Sequence, residues 1–278
     1  MSTEGQASET AARWADRSFL RNVQYADASN FAARQAIYRF QQPRIAVYDW
    51  ALDLARLTGD ETILDVGCGN GGYLRALHRR GHAGLVVGMD FSPGMLASSR
   101  DAAGDESSQP LVQGDAAQLP FASGSIDAAL AMHMLYHVPD RAQALSELRR
   151  VVAPEGVVLI VLNGAQHNAQ LNALVRAALV GLGLPVPAST TMGSSLDLDR
   201  GALLAAEQFS VERHEVSAEL VVTEAEPVVD YVRSMSFVRK GLDAEGALLG
   251  EVRDRVAAII ASDGAVRIST AMGCLVCR

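Results

Sequence analysis

The sequence predicts an α/β fold with a largely parallel sheet, and three observations carry that prediction. Short, nearly continuous apolar runs recur at residues 62–66, 85–89, 128–132 and 157–162. Helical patterns fill the intervals, at 71–80, 93–100 and 140–152. A glycine-rich turn joins the first run to the first of those helices. Strands covered on both faces are apolar throughout, and their alternation with helices implies parallel pairing through crossovers.

The elements follow in chain order. Residues 11–20, 30–40 and 43–57 carry apolar side chains at spacings of three and four, so the first sixty residues read as helical, with Pro43 suited to a first helical turn. The 62–66 strand, the 71–80 helix and the 85–89 strand come next. Ser92-Pro93 supplies a capping hydroxyl and a residue whose φ is already helical, which starts the 93–100 helix. Residues 109–113 form a weaker strand candidate. After the 128–132 strand, Asp140 caps a helix that buries Leu145, Leu148 and Val152. The turn Ala153-Pro154-Glu155-Gly156 ends it before the 157–162 strand. Past Asn163 the alternation fades. A helix over 166–181, a proline-containing loop over 185–195, a strand over 209–222, helices over 227–238 and 246–260, and a last strand over 264–277 are expected.

Composition narrows the function. A chain of 278 residues holds one α/β domain with a sizeable insertion, or two small domains. A net charge of −8, with no Lys/Arg cluster, argues against a nucleic-acid partner, because phosphate backbones need a basic face. The first ten residues are polar and acidic, and the longest apolar runs are far too short to span a bilayer, so no membrane and a cytoplasmic location are expected. Three cysteines suit a reducing compartment. Cys274 and Cys277 have C-x-x-C spacing, but on a strand residues three apart face opposite sides of the sheet, so no metal site is expected.

The chemistry lies in Asp65-Val66-Gly67-Cys68-Gly69-Asn70-Gly71-Gly72, directly after the first strand and opening a helix. Glycine lets the backbone turn tightly and approach a ligand, and the following helix start suits a carboxylate or phosphate. On spacing alone Gly67, Gly69 and Gly72 also satisfy the dinucleotide pattern G-x-G-x-x-G, so this motif by itself leaves two readings. Further signals accompany it: Asp65 two residues before the first glycine, Asp90 ending the second strand, and Gly114-Asp115-Ala116 after the third. With M-D-F-S-P-G-M-L, G-D-A-A-Q-L-P-F and L-R-R-V-V-A-P-E-G in order, residues 62–163 resemble the class I S-adenosylmethionine-dependent methyltransferases, in their small-molecule branch.

That resemblance implies a Rossmann-like, seven-stranded, mostly parallel sheet with helices on both faces. It implies that S-adenosylmethionine is the cofactor, with Gly67, Cys68 and Gly69 along its methionine portion and Asp65 near its ammonium group. Asp90 would accept from both ribose hydroxyls, since a carboxylate offers two oxygens side by side. Phe91 and Met95 would flank the adenine, and Asp115, between Gly114 and Ala116, would accept from its amine. Backbone at Met132 would lie under the sulfonium. An aromatic of the N-terminal helical lid would cover the methionine portion; Tyr25 is the candidate, with Tyr38, Tyr48 and Trp14 competing. His133 and His137 are the catalytic candidates: they begin where the fourth strand ends, and in a helical turn their spacing would put both imidazoles on one face, able to take a proton from a hydroxyl acceptor. His167 is expected on a helix surface.

The expected division is a lid and substrate region at 1–60, a cofactor-binding core at 61–163, and completion of the sheet at 164–278 with a helical cap at about 164–208 and 223–263. The cap's Val228, Met235, Phe237, Leu248 and Leu249 would favour an apolar acceptor, or form a homo-oligomer interface instead. The expected function is methyl transfer to a small molecule of specialised biosynthesis, on oxygen, nitrogen or carbon. A nicotinamide-dependent oxidoreductase is the alternative, although no Tyr-x-x-x-Lys pair exists and Lys240 is the only lysine. A non-catalytic or repurposed methyltransferase fold is the other.

Overall fold

The computed structural model describes residues 25, 29–104, 109–187, 196–239 and 244–278. In chain order their elements are α1 (Ser29–Ala36), β1 (Gln41–Gln42), α2 (Val47–Ala55), β2 (Ile63–Val66), α3 (Gly72–Arg79), β3 (Val86–Asp90), α4 (Pro93–Ala103), β4 (Leu111–Gln113), β5 (Ile126–Met132), α5 (Arg141–Val151), β6 (Val152–Asn163), α6 (Ala169–Gly181), α7 (Leu198–Ala205), β7 (Val211–Val222), α8 (Glu226–Arg233), α9 (Ser236–Arg239), α10 (Glu245–Asp263) and β8 (Val266–Cys277). Short 3-10 turns span Ile37–Phe40 and Leu135–His137.

The strands form one sheet in the order β1-β7-β8-β6-β5-β2-β3-β4. From β4 to β6 all pairing is parallel, whereas β8, β7 and β1 are added antiparallel. The expected count of seven strands is therefore corrected to eight. The extra one, Gln41–Gln42, has no apolar run to announce it and pairs only at the edge with Leu220 and Glu219. Helix α7 likewise went unread in the sequence. Pro43 does not start a helix; α2 begins at Val47. The predicted helix over 11–20 lies outside the described residues, as do positions 188–195 of the proline-containing loop.

Side chains alternate across the sheet as strand geometry demands. On one face Leu64, Ala129, Ala131, Val158 and Ile160 pack with α5 residues Leu145 and Leu148. On the other Ile63, Leu130, Leu159 and Val161 pack with Leu52 of α2 and Leu74 and Leu77 of α3. Cys277 lies in the first layer and Cys274 in the second, so the two thiols face opposite sides of β8. Burial pushes both thiols up to about 12. Helices α4 and α5 start where read: Ser92 Oγ accepts from Met95 N at 3.3 Å and Asp140 Oδ1 from Gln143 N at 3.0 Å. The turn expected at 153–156 is a bulge within β6. Ile126 pairs with Val152 and Ala128 with Val157, so six residues of one strand face three of the other.

A third core stands above the carboxyl ends of the parallel strands. The β7–β8 ladder continues past the last β6 pair, Asn163 with Met272, out to Val222 with Val266. Helices α6, α8 and α10 pack on that extension through Leu171, Val175, Val228, Val232, Leu248, Val252 and Val256, together with Ile37. The described part of residues 1–60 thus divides: Ile37 joins this upper core, while α2 packs beneath the sheet.

Candidate active site

The carboxyl ends of β2, β3, β5 and β6 open into a cavity of about 1150 Å³, roofed by the upper core. Single-ligand pockets usually occupy roughly 300–1,000 Å³, so this one has room for two small molecules. All fourteen residues named from the sequence line it: Tyr25, Asp65, Gly67, Cys68, Gly69, Asp90, Phe91, Met95, Gly114, Asp115, Ala116, Met132, His133 and His137.

The glycine loop is built by backbone. Gly67 and Gly69 have φ of 73° and 57°, the left-handed region that glycine enters without strain. A Cβ at Gly67 would also lie 2.7 Å from Met134 Cβ. The amides of Gly67 and Cys68 both donate to Met89 O, at 2.7 and 2.9 Å, and Gly69 N donates to Asp90 Oδ2 at 2.9 Å. These three amides are therefore engaged within the protein. They fold the turn and hold Asp90.

The acids differ in character. Asp90 Oδ1 accepts from Ser92 N at 2.8 Å, so each of its oxygens is fixed by one amide. Burial raises its carboxyl, and those amides pull it back down. Asp65 is 1% exposed and neither oxygen has a hydrogen-bond partner among the described residues. Burial, reinforced by the neighbouring charge of Asp90, pushes it up to about 8. A buried carboxylate left this way wants a cation. Asp115 Oδ1 accepts from Ala117 N at 3.0 Å, closing a small turn after β4.

The opposite wall holds the histidines. His133 stands at φ 54°, immediately after β5, and only residues 135–137 form a helical turn. The expectation of one helical turn presenting both imidazoles on a shared face is corrected: a left-handed residue cannot continue into such a turn. Burial lowers His133 to about 4, with His167 adding to the effect. Burial, then the charge of Arg34, lowers His137 to about 3. Both are neutral near pH 7. His137 Nε2 lies 2.9 Å from Tyr25 Oη, whose ring meets it edge-on, while His137 Nδ1 is buried with no hydrogen-bond partner within the protein.

Tyr25 is tied down further. Its carbonyl accepts from Ser92 Oγ at 2.6 Å, and its hydroxyl bonds Arg34. Arg34 is 8% exposed and donates to Ser234, through Nη2 to the carbonyl at 2.6 Å and Nε to Oγ at 3.2 Å. His167 is not on a helix surface. It is 9% exposed, lines the cavity before α6, and bonds Tyr38 Oη at 3.1 Å and Ala271. The competing Tyr38 and Tyr48 also line the cavity; Trp14 lies outside the described residues.

Several wall residues escaped sequence reasoning: Gln41, Tyr136, Asn168, Tyr231 and Met272. Tyr136 sits inside the segment already singled out and could have been found there. The others arrive from the upper core with no local motif. Of the five apolar residues expected to face an acceptor, only Met235 does. Val228, Leu248, Leu249 and Phe237 pack within that core instead, which corrects the expectation of a broadly apolar cap wall.

A methyltransferase-domain family model matches residues 64–160. A demethylmenaquinone methyltransferase of Staphylococcus aureus (strain MRSA252) is 40% identical over 97 residues, 34% of this chain and 40% of the relative, so the match spans well under half of that protein's length. A Bacillus halodurans protein assigned as a methyltransferase has a similar fold, with TM-score 0.56 at 20% identity, covering 83% of this chain and 97% of its own. So has Haemonchus contortus phosphoethanolamine N-methyltransferase 2, solved with phosphomonomethylethanolamine and S-adenosylhomocysteine, with TM-score 0.56 at 18% identity over 94% and 59% of the two chains. Residues 64–160 are therefore a methyltransferase domain.

Proposed function

We propose that the protein methylates a small-molecule acceptor of specialised biosynthesis, held between the cofactor loops and the upper core. The observation that carries this reading is the buried Asp65 carboxylate beside the glycine loop, partnerless among the described residues. It is where an amino-acid ammonium group would be matched in both charge and hydrogen bonding, and a dinucleotide, whose cationic ring nitrogen carries no N–H, offers no such group. When bound, S-adenosylmethionine supplies an electrophilic methyl group on a sulfonium.

The chain's own residues then bind and orient. Asp65 pairs with the ammonium, Asp90 accepts from the ribose hydroxyls, Asp115 accepts from the adenine amine, and Phe91 and Met95 flank the ring. Alignment and exclusion of water supply most of what such a displacement needs. Tyr25 and Arg34 fix His137 so that Nδ1 faces the acceptor. In the tautomer whose Nε2–H donates to Tyr25, that nitrogen takes the proton of a hydroxyl acceptor. His133 is the second candidate for that role. Residues 29–42, with α6, α8 and α10, supply lid and cap.

Incubation with S-adenosylmethionine and an acceptor library, read by mass for the gain of one methyl group, tests the activity. Calorimetry tests the site: Asp90→Ala should weaken S-adenosylhomocysteine by about 3 kcal/mol, through loss of hydrogen bonds to a charged acceptor. Tighter binding of NAD than of S-adenosylhomocysteine to the unmodified protein would sink the proposal.

A further inference from the structure

The acceptor half of the cavity carries a second recognition point, away from His137. Asn168 precedes α6 with a left-handed backbone, φ 58°, and is 3% exposed. Its Nδ2 donates to Tyr231 Oη at 2.9 Å, whereas Oδ1 is buried without a hydrogen-bond partner. Gln41, 5% exposed, has the complementary need. Its Oε1 accepts from Ile45 N at 3.1 Å, which fixes the amide, and Nε2 is left buried with no acceptor. Gln41 aligns with Leu220 and Ile268 across three strands, so its side chain shares the face that carries the upper core. Buried amide groups of this kind cost free energy until something bonds them.

The surrounding wall restricts what can bond them. His133, His137 and His167 are neutral at pH 7, and Tyr25, Tyr38, Tyr136 and Tyr231 are held in their neutral form by burial. Arg34 adds a positive charge. Among the described residues the acidic side chains lining the cavity are Asp65, Asp90, Asp115 and Asp197. The first three belong to the cofactor half, and Asp197 Oδ1 caps α7 through Arg200 N at 2.9 Å. Among the described residues of this half, a cationic amine therefore finds only a carboxylate already engaged as a helix cap. Tyrosine rings and the thioethers of Met235 and Met272 suit a flat, polarisable body.

Resting on the methyl-transfer reading of the same site, we propose that the acceptor is an uncharged hydroxylated aromatic compound. One hydroxyl reaches His137 Nδ1, and a second polar group, able to donate and accept, is held by Asn168 Oδ1 and Gln41 Nε2.

The test is calorimetry on the full chain saturated with S-adenosylhomocysteine, using a dihydroxynaphthalene, the matching naphthol and naphthylmethylamine, which is protonated at neutral pH. The diol should bind about tenfold tighter than the naphthol, the ratio that one hydrogen bond of about 1.4 kcal/mol represents. The amine should bind more weakly than both. In Asn168→Gly, which keeps the left-handed backbone while removing the amide, the diol's advantage should shrink to about twofold with S-adenosylhomocysteine affinity unchanged. Gln41→Met should reduce the advantage without touching Asn168. Equal affinity of diol and naphthol, failure of the diol to bind, binding of the amine as tightly as the diol, or an undiminished preference in both variants would overturn the proposal. Failure of S-adenosylhomocysteine to bind would instead overturn the methyl-transfer reading beneath it.

Discussion

Asp65 and the cavity histidines titrate in opposite senses, and each sense is measurable. The Asp65 carboxyl, raised to about 8 in the ligand-free protein, holds a proton at pH 7 that it must release to pair with an ammonium group. Cofactor affinity should therefore rise from pH 6 to about 8. Calorimetry at pH 6.5 in buffers of different ionisation enthalpy should show close to one proton released per cofactor bound, and none in Asp65→Asn. For the ligand-free fold the sign is the reverse. The folded carboxyl lies above its unfolded value, so stability is full near pH 4 and falls as pH rises through about 8. His133, His137 and His167 lie at about 4, 3 and 4, below their unfolded value, so their contribution is full above about pH 6.5 and is lost as pH falls toward 4. If His137 takes the proton, kcat at saturating cofactor should stay level down to about pH 5, since a base depressed that far remains unprotonated. An acid limb centred at 6.5 would exclude both His133 and His137. Replacing His137 with Gln should lower kcat by roughly a hundredfold with cofactor affinity kept.

Single elements place these residues, and two substitutions separate positioning from mere stability. Gly67→Ala puts a Cβ 2.7 Å from Met134 Cβ at a φ of 73°. The left-handed backbone costs about 1–2 kcal/mol and the overlap a further 1–3 kcal/mol, borne by the loop that lines the cofactor half. Both Tm and S-adenosylhomocysteine affinity should fall. Asp140→Ala removes the cap of α5 and costs about 1 kcal/mol, but among the described residues that helix contributes no hydrogen bond to the glycine loop, and it packs on a face of the sheet through Leu145 and Leu148. Its Tm should drop by a few degrees and its cofactor affinity should not change. A loss of affinity in Asp140→Ala would mean that the site depends on global stability rather than on the loop.

At the scale of the whole molecule, the cavity is closed by segments far apart in sequence that meet each other. Arg34 of α1 is bonded to Ser234 beside α8, and Ile37 lies in the core that α6, α8 and α10 build on the β7–β8 extension. We expect this upper unit to tighten when cofactor and acceptor are both bound, as lids do when they exclude water. Hydrogen exchange should then slow in residues 29–42 and 226–239 as well as in the glycine loop. Protection confined to residues 65–72 would leave the upper unit as a fixed wall.

By itself the sequence determined the parallel core and its glycine loop, because both are written locally. Runs such as 157–162 are apolar throughout, the caps Ser92 and Asp140 sit beside the helices they start, and Gly67, Gly69, Asp65 and Asp90 lie within a single strand–helix–strand unit. Even the opposed facing of Cys274 and Cys277 follows from a two-residue period. Tertiary structure alone decided the cavity wall opposite the glycine loop. Gln41 reaches it through an edge strand of two residues, Asn168 through a backbone turn stitched to β8, and Tyr231 through a helix packed on the β7–β8 extension. It also turned Val228, Leu248 and Leu249 inward to a core of their own and left His133 outside any helical turn. The physical reason is range. The glycine loop is specified by the dihedral freedom and spacing of neighbouring residues, whereas that wall is specified by which distant surfaces bury each other.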